Sequence, residues 1–309
     1  MEVKKIPSKL EKGDIIGVVA PSNPIIGENI EEVKMAKKIV EESGFKVKFS
    51  KNLFSNTNGY SSTAKEKAED INSMFADRQV KMIWCAKGGE NSNSVFEYLD
   101  YEVISKNPKI VCGYSDITSL TNIITAKTGL VTFSGTNFKT IATDETDYSY
   151  NEAIKRFVEG SLEIGKTTFG YKTIKKGQIE AELIGGNLSL IRGLVEAKYK
   201  VNFENKILFL EELGFETGPA LASNYLYYMK QNGVFDKIKG LWIGNYEHES
   251  KISLEKIILD VLGEDIKFPI IKSNNFGHIE EKTVIPIGTK ARIDTTKEEK
   301  IEFIEKCVK

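Results

Sequence analysis

KIVCGYSDITSL, residues 109–120, joins an apolar run that ends at Gly113 to a helical pattern running from about Ser115 to Thr128. Gly-Tyr-Ser-Asp lies at the junction, so the segment reads as strand, sharp turn, helix. The same alternation extends toward the N-terminus. Apolar runs at Ile15 to Ala20, Lys46 to Phe49 and Met82 to Ala86 are separated by helical patterns near Ile30 to Ser43, Ala64 to Ala76 and Val95 to Leu99. Strands this short and apolar are not half-exposed, which predicts an α/β unit with a parallel sheet covered by helices on both faces. Ligands of such sheets sit beyond the carboxyl ends of the strands. The loops at Pro21, Gly88 and Ser115 all follow predicted strands.

Ser115 on such a turn would project its hydroxyl into the site, and the helix start would offer the Asp116 N–H to an oxyanion. The glycine two residues after the serine in the usual nucleophile elbow is absent, and Ser115, Asp116 and Thr118 also suit a plain helix N-cap. Gly88 and Gly89 follow the strand MIWCA and could supply a second oxyanion donor, although paired glycines equally suit a tight turn. No GxGxxG fingerprint accompanies them, which argues against a dinucleotide site.

Only two histidines are available for acid–base work near neutral pH, His248 and His278. His248 lies in the polar segment NYEHESK and reads as a surface residue. His278 follows Gly277 in NNFGHIEEKTVIPIG, where a flexible backbone can present a side chain to a cleft. An imidazole base needs an acceptor that fixes its tautomer, and the acidic pair ending KILFLEE is the best candidate. Strand alternation sends one of Glu211 and Glu212 inward and the other toward solvent, and it leaves open which.

The chain of 309 residues is long enough for two units. We read 1–145 as the domain with the elbow, 146–176 as a polar linker region that opens with a helix, and 177–309 as a smaller α/β or barrel-like domain carrying the acid and the histidine. In that second unit Gly185, Gly186 and Asn187 read as a helix start, and IPIGTKARID reads as a hairpin. With 43 basic against 44 acidic side chains and no basic block, the chain lacks the footprint for nucleic acid. The apolar run before Pro21 spans about six residues, shorter than a signal peptide's core, and no run approaches a membrane span. A cytoplasmic protein without membrane contact is therefore expected. Cys85, Cys112 and Cys307 are too scattered for a disulfide framework or a zinc site, and free thiols, no metal and no cofactor are expected.

Long ordered blocks carry a resemblance. The stretch GGENSNSVFEYLDYEVISKNPKIVCGYSDITSLTNIITAKTGLVTFSG, with GDIIGVVAPS before it and LIGGNLSLIRGL, KILFLEE, NGVFDKIKGLWIG and FGHIEEKTVIPIG after it, resembles the serine peptidase family of the LD-carboxypeptidases and microcin C immunity peptidases. It is most similar to the immunity branch. The resemblance implies a Rossmann-like N-terminal domain, a smaller swivelling-type C-terminal domain, a site between them and a homodimer. By motif position it makes Ser115 the nucleophile, His278 the base and Glu211 its partner, with Asp116, Gly88 and Gly89 forming the oxyanion hole and Asn187 lining the substrate site. The implied reaction is cleavage of an amide bond near a C-terminal carboxylate, as in murein tetrapeptides. The alternatives are hydrolysis of aminoacyl-nucleotide conjugates or an inactive ligand-binding homologue. The sequence departs from the nucleotide-cleaving members at two places: Phe215 stands where they have a lysine, and Trp84 and Trp242 lie away from their base-stacking tryptophan. It also has Gly135-Thr136 where the family often has Gly-Pro after the strand VTF.

Overall fold

In the computed structural model, which describes residues 3–166 and 170–309, the first sheet is built on Ile15–Val19 (β1), Lys46–Phe49 (β2), Val80–Cys85 (β3), Ile110–Gly113 (β4) and Thr132–Ser134 (β5). These five strands are parallel, in the order β5-β4-β3-β1-β2. Helices cover both faces: Glu28–Glu42 (α1), Ala64–Ala76 (α2), Tyr101–Lys106 (α3) and Ile117–Thr128 (α4). Strand alternation sorts the core accordingly. Ile16, Val18, Met82, Trp84 and Ile110 pack with Val33 and Val40 of α1, whereas Val19, Ile83, Cys85 and Val111 pack with Ile71 of α2 and Leu120 of α4. The helix expected near Val95 to Leu99 begins later. Residues Ser92–Val95 make one 3₁₀ turn, and α3 starts only after Asp100, whose carboxylate accepts from the Val103 N–H at 2.9 Å as its N-cap.

Tyr148–Ile154 (α5) leads out of this layer, and Lys172–Lys175 (β6), inside the stretch read as a linker, is an edge strand of a second sheet. Four further strands of that sheet are Gln178–Asn187 (β7), Lys206–Glu211 (β8), Gly240–Ile243 (β9) and Ile270–Lys272 (β10). Between them lie Leu188–Arg192 (α6), Pro219–Gln231 (α7), Val234–Lys237 (α8) and Leu254–Leu262 (α9). The Gly185-Gly186-Asn187 stretch, read as a helix start, is instead the end of β7. Gly185 has φ +141° there, and a Cβ on it would lie 1.9 Å from the Phe209 carbonyl oxygen of β8.

The expected hairpin at IPIGTKARID does not form. Ile285–Ile287 (β11) pairs antiparallel with β5 and completes the first sheet as a sixth strand, while Lys290–Asp294 (β12) joins β7 and Ile301–Phe303 (β13) in the second. The turn between them is fixed by β7. Leu183 donates to the Thr289 carbonyl and accepts from the Gly288 N–H, both at 2.9 Å. One apolar cluster also continues from α2 and α4 through Ile184 and Leu188 to α7 and α9, so both sheets share a packed core. Such a shared core holds groups from distant stretches in fixed relative positions. Among the described residues, no helix is long and apolar enough to cross a membrane.

Candidate active site

Ser115 ends the β4-to-α4 turn with φ +63°, a left-handed conformation that a non-glycine residue adopts only where its surroundings enforce it. Thr118 N–H and Ile117 N–H are already taken by the Ser115 and Tyr114 carbonyls. A Cβ on Gly88 would stand 3.2 Å from the Ser115 Oγ and 3.5 Å from the Asp116 backbone N, so the bare Gly88 leaves open the space in front of both groups. Gly89 has φ +147°, and a Cβ there would overlap the Asn23 side chain at 2.2 Å.

The helix carrying Ser115 is docked onto the second sheet. Asn122 of α4 donates to the Gly185 carbonyl at 2.9 Å, and the Asn187 N–H donates to Thr118 Oγ1 at 3.0 Å. Asn187 stands opposite Glu211 in the β7–β8 ladder, so the same docking sets the carboxylate relative to the serine. Glu211 shares the strand face of Phe209, and its Oε2 lies 2.8 Å from His278 Nδ1. His278 Nε2 lies 3.0 Å from Ser115 Oγ. With Nδ1 protonated, the ring donates to Glu211 and accepts from the serine hydroxyl.

His278 is held by its loop. Asn245 Nδ2 donates to its carbonyl at 3.3 Å, and farther along the Lys282 N–H and Thr283 hydroxyl bond to Ser149 and Glu152 of α5 at 3.0 and 2.9 Å. The Tyr114 ring meets the imidazole edge-on at 5.2 Å, and Lys282 Nζ lies 5.1 Å from the centre of that tyrosine ring. Burial disfavours the charged imidazole, but the Glu211 charge and hydrogen bond, with Glu212 and against Lys282, leave its pKa above the usual value. Burial pushes Lys282 down to about 8.

Glu212 does not turn to solvent as strand alternation suggested, because α6 covers that face and leaves it 2% exposed. Its carboxylate accepts from Asn187 Nδ2 at 2.9 Å and from the Ser189 and Leu213 N–H groups at 2.8 Å each. Burial, then the neighbouring Glu211, raise its pKa. Asn187 is thereby committed to Glu212 and, through Oδ1, to the Ser189 hydroxyl at 2.6 Å. The residues lining the cleft over the relay do not include Asn187, which the resemblance placed on the substrate site. Asp116 is fully buried, accepting from the Ser92 N–H at 2.7 Å and from the Ser22 hydroxyl. Its side chain braces the turn, and only its backbone faces the serine.

A cleft of about 340 Å³ opens over this relay and is lined by Ser115, His278, Gly88, Gly89, Tyr114 and also Lys87, Lys139 and Glu216. The two lysines escaped the sequence reading because no motif marks them; their sole sequence signal is position, beside Gly88 and after the β5 strand. His248 is elsewhere, half-buried, with Nδ1 accepting from the Ser250 N–H at 3.1 Å. Trp84 and Trp242 are buried in the two cores, donating to the Thr136 carbonyl and the Ser273 hydroxyl at 2.7 Å each. Phe215 is 91% exposed on the loop after Glu211. All three cysteines are free and buried, and among the described residues no three His, Cys, Asp or Glu side chains group as a metal-ligand set.

The chain matches the LD-carboxypeptidase N-terminal domain over residues 16–135 and the LD-carboxypeptidase C-terminal domain over residues 180–293. It is 32% identical to a probable murein peptide carboxypeptidase of Bacillus subtilis (strain 168), covering 97% of this chain and 94% of that protein. An MccF-like protein from Bacillus anthracis str. Ames superposes with a TM-score of 0.89 at 32% identity, over 98% of this chain and 99% of that one. The microcin C7 self immunity protein MccF in complex with aspartyl sulfamoyl adenosine does so at 0.87 and 26%, over 99% and 100%. Because both halves match in order and the relatives align along nearly their whole length, the chain belongs to the LD-carboxypeptidase family and is a serine peptidase.

Proposed function

We propose that this protein hydrolyses the amide bond before the C-terminal residue of a small peptide, with an L,D bond as in murein tetrapeptides, through a Ser115-His278-Glu211 triad. The observation that carries the reading is the unbroken relay from Ser115 Oγ to His278 Nε2 at 3.0 Å and from His278 Nδ1 to Glu211 Oε2 at 2.8 Å. In this mechanism the serine oxygen attacks the carbonyl carbon as its proton passes to Nε2. The Asp116 N–H and the Gly88-Gly89 backbone face the oxygen that gains charge. Collapse expels the amine, which takes the proton from Nε2 and leaves an acyl-serine. Water then adds to the acyl carbon, its proton going to Nε2 and from there back to Oγ as the acid departs. Glu211 keeps the proton on Nδ1 throughout and stabilises the imidazolium.

The similarity to MccF supports a second reading, hydrolysis of an aminoacyl nucleotide. Two features weigh against it: both tryptophans are buried away from the cleft, and exposed Phe215 occupies the position of the lysine. The deciding experiment gives wild type, Ser115→Ala and His278→Ala both a tetrapeptide ending in an L,D bond and an aminoacyl sulfamoyl adenosine, with products followed by mass. Release of the terminal amino acid by wild type alone is expected. Cleavage of the nucleotide conjugate only would favour the second reading, turnover surviving both substitutions would defeat the triad, and failure of an active-serine probe to label Ser115 would favour an inactive binding protein.

A further inference from the structure

Lys87 precedes the Gly88-Gly89 turn, and a Cβ on Gly88 would lie 3.2 Å from the Ser115 Oγ. Lys139 is brought beside it by its own backbone, whose N–H donates to the Ala86 carbonyl at 3.1 Å. Both lysines line the cleft that holds Ser115 and His278. Their compensation is incomplete. Lys139 is paired with Glu32 at 2.7 Å, while among the described residues no ion pair or hydrogen bond holds Lys87, neither to Glu32 nor to Glu90 or Glu216 of the same cleft. Burial, and then the nearby Lys139, lower the Lys87 pKa, with Glu32 opposing them. A cation so placed gains from an arriving anion, because the pair forms where water is partly excluded.

The spacing limits which anion can reach it. In a peptide, consecutive Cα atoms lie about 3.8 Å apart, so a carbonyl at Ser115 puts the end of the next residue within reach of the residue beside Gly88. We infer that Lys87, in the field of Lys139, is the subsite for the substrate's free terminal α-carboxylate and so confines cleavage to the last residue of the peptide. This rests on the reading of Ser115 as the attacking group. Uncharged termini, such as C-terminal amides, would leave Lys87 uncompensated and bind less well.

The test uses the Ser115→Ala protein, which holds ligand without turnover, and a tetrapeptide ending in an L,D bond prepared as the free acid and as the C-terminal amide. Calorimetry should show the acid bound roughly tenfold or more tighter, the worth of one charge-assisted contact. Adding Lys87→Gln should erase that preference, and adding Lys87→Arg should restore most of it. Equal binding of acid and amide, a preference that survives Lys87→Gln, or no binding of either peptide overturns the assignment. Thermal melts check that the variants are folded, the expected outcome at a partly exposed position. Wild-type turnover separates the two ideas. Cleavage without carboxylate preference keeps the hydrolase reading and removes the subsite, whereas carboxylate preference without cleavage keeps the carboxylate contact but removes the hydrolase reading and, with it, the confinement of cleavage.

Discussion

Gly277 presses against Glu211 so closely that a Cβ on the glycine would lie 2.8 Å from both Cβ and Oε2 of the glutamate. The residue before His278 therefore has to be bare for the carboxylate to lie against the imidazole, and its φ of +108° adds a second demand that only glycine meets without strain.

Gly277→Ala should consequently strike the relay before it strikes the fold. Strain of about 1–3 kcal/mol is expected from the backbone conformation, and displacement of the carboxylate by even an ångström should lower kcat roughly 10²-fold. Steady-state kinetics beside a thermal melt check this; a melt that collapses while the residual folded enzyme keeps full kcat would contradict it.

The two adjacent acids should behave differently. Glu211→Gln removes the negative charge and offers Nδ1 an amide N–H that favours the wrong His278 tautomer, and a loss of order 10⁴-fold in kcat is expected with the protein still folded. Glu212→Gln cannot satisfy the Asn187 amide and the two N–H groups as a carboxylate does. It should cost about 1–3 kcal/mol of stability, with a smaller effect on kcat. Chemical denaturation and kinetics on both variants would expose a reversed pattern.

The pH profile follows from the imidazole. Because its pKa is raised above 6.5 in the folded protein, the acid limb of kcat/KM should lie above that value, since only the neutral ring accepts the serine proton. Glu211→Gln, measured on its residual activity, should move the limb downward. For stability the sign is opposite. The charged ring is favoured in the folded state, so its contribution is complete below pH 6.5 and is lost as pH rises through the folded value. A limb below 6.5, or one unmoved by Glu211→Gln, would show that Glu211 does not set this pKa.

Gly88→Ala probes the space in front of the serine. Unlike Gly89 it has no left-handed φ, so the backbone accepts alanine, but the new methyl would stand 3.0 Å from the Ser115 Cβ and 3.2 Å from its Oγ. A melt close to wild type and a fall in kcat approaching the roughly 10²–10³-fold seen on loss of one oxyanion donor are expected. Unchanged kcat would mean that the carbonyl binds away from this turn.

Much of the first sheet was legible because its strands, apart from the half-exposed edge strand β2, are largely apolar on both faces and are separated by helical patterns. Ser115 was legible for the same reason, as a hydroxyl at a strand-to-helix turn, and His278 because one of only two histidines followed a glycine. The helix near residue 95 was misread because Val95 and Leu99 are spaced like a helix face, whereas the cap that starts the real helix is Asp100. The IPIGTKARID stretch was misread as a hairpin because turn chemistry at Gly288 is local, while the choice of strand partner is not.

By itself, then, the sequence determined the order of elements in the first layer and the residue types able to carry the chemistry, since these depend on periodicity and local turns, and it carried the family through the resemblance of its ordered blocks. Strand alternation left Glu211 and Glu212 open and the resemblance named Glu211; the tertiary structure brings Glu211 to His278, pairs Asn187 with Glu212, completes the first sheet with β11 and lines the serine's cleft with two lysines. Each of these depends on which stretches, distant along the chain, meet in the fold, and such contacts leave no periodic trace in the sequence.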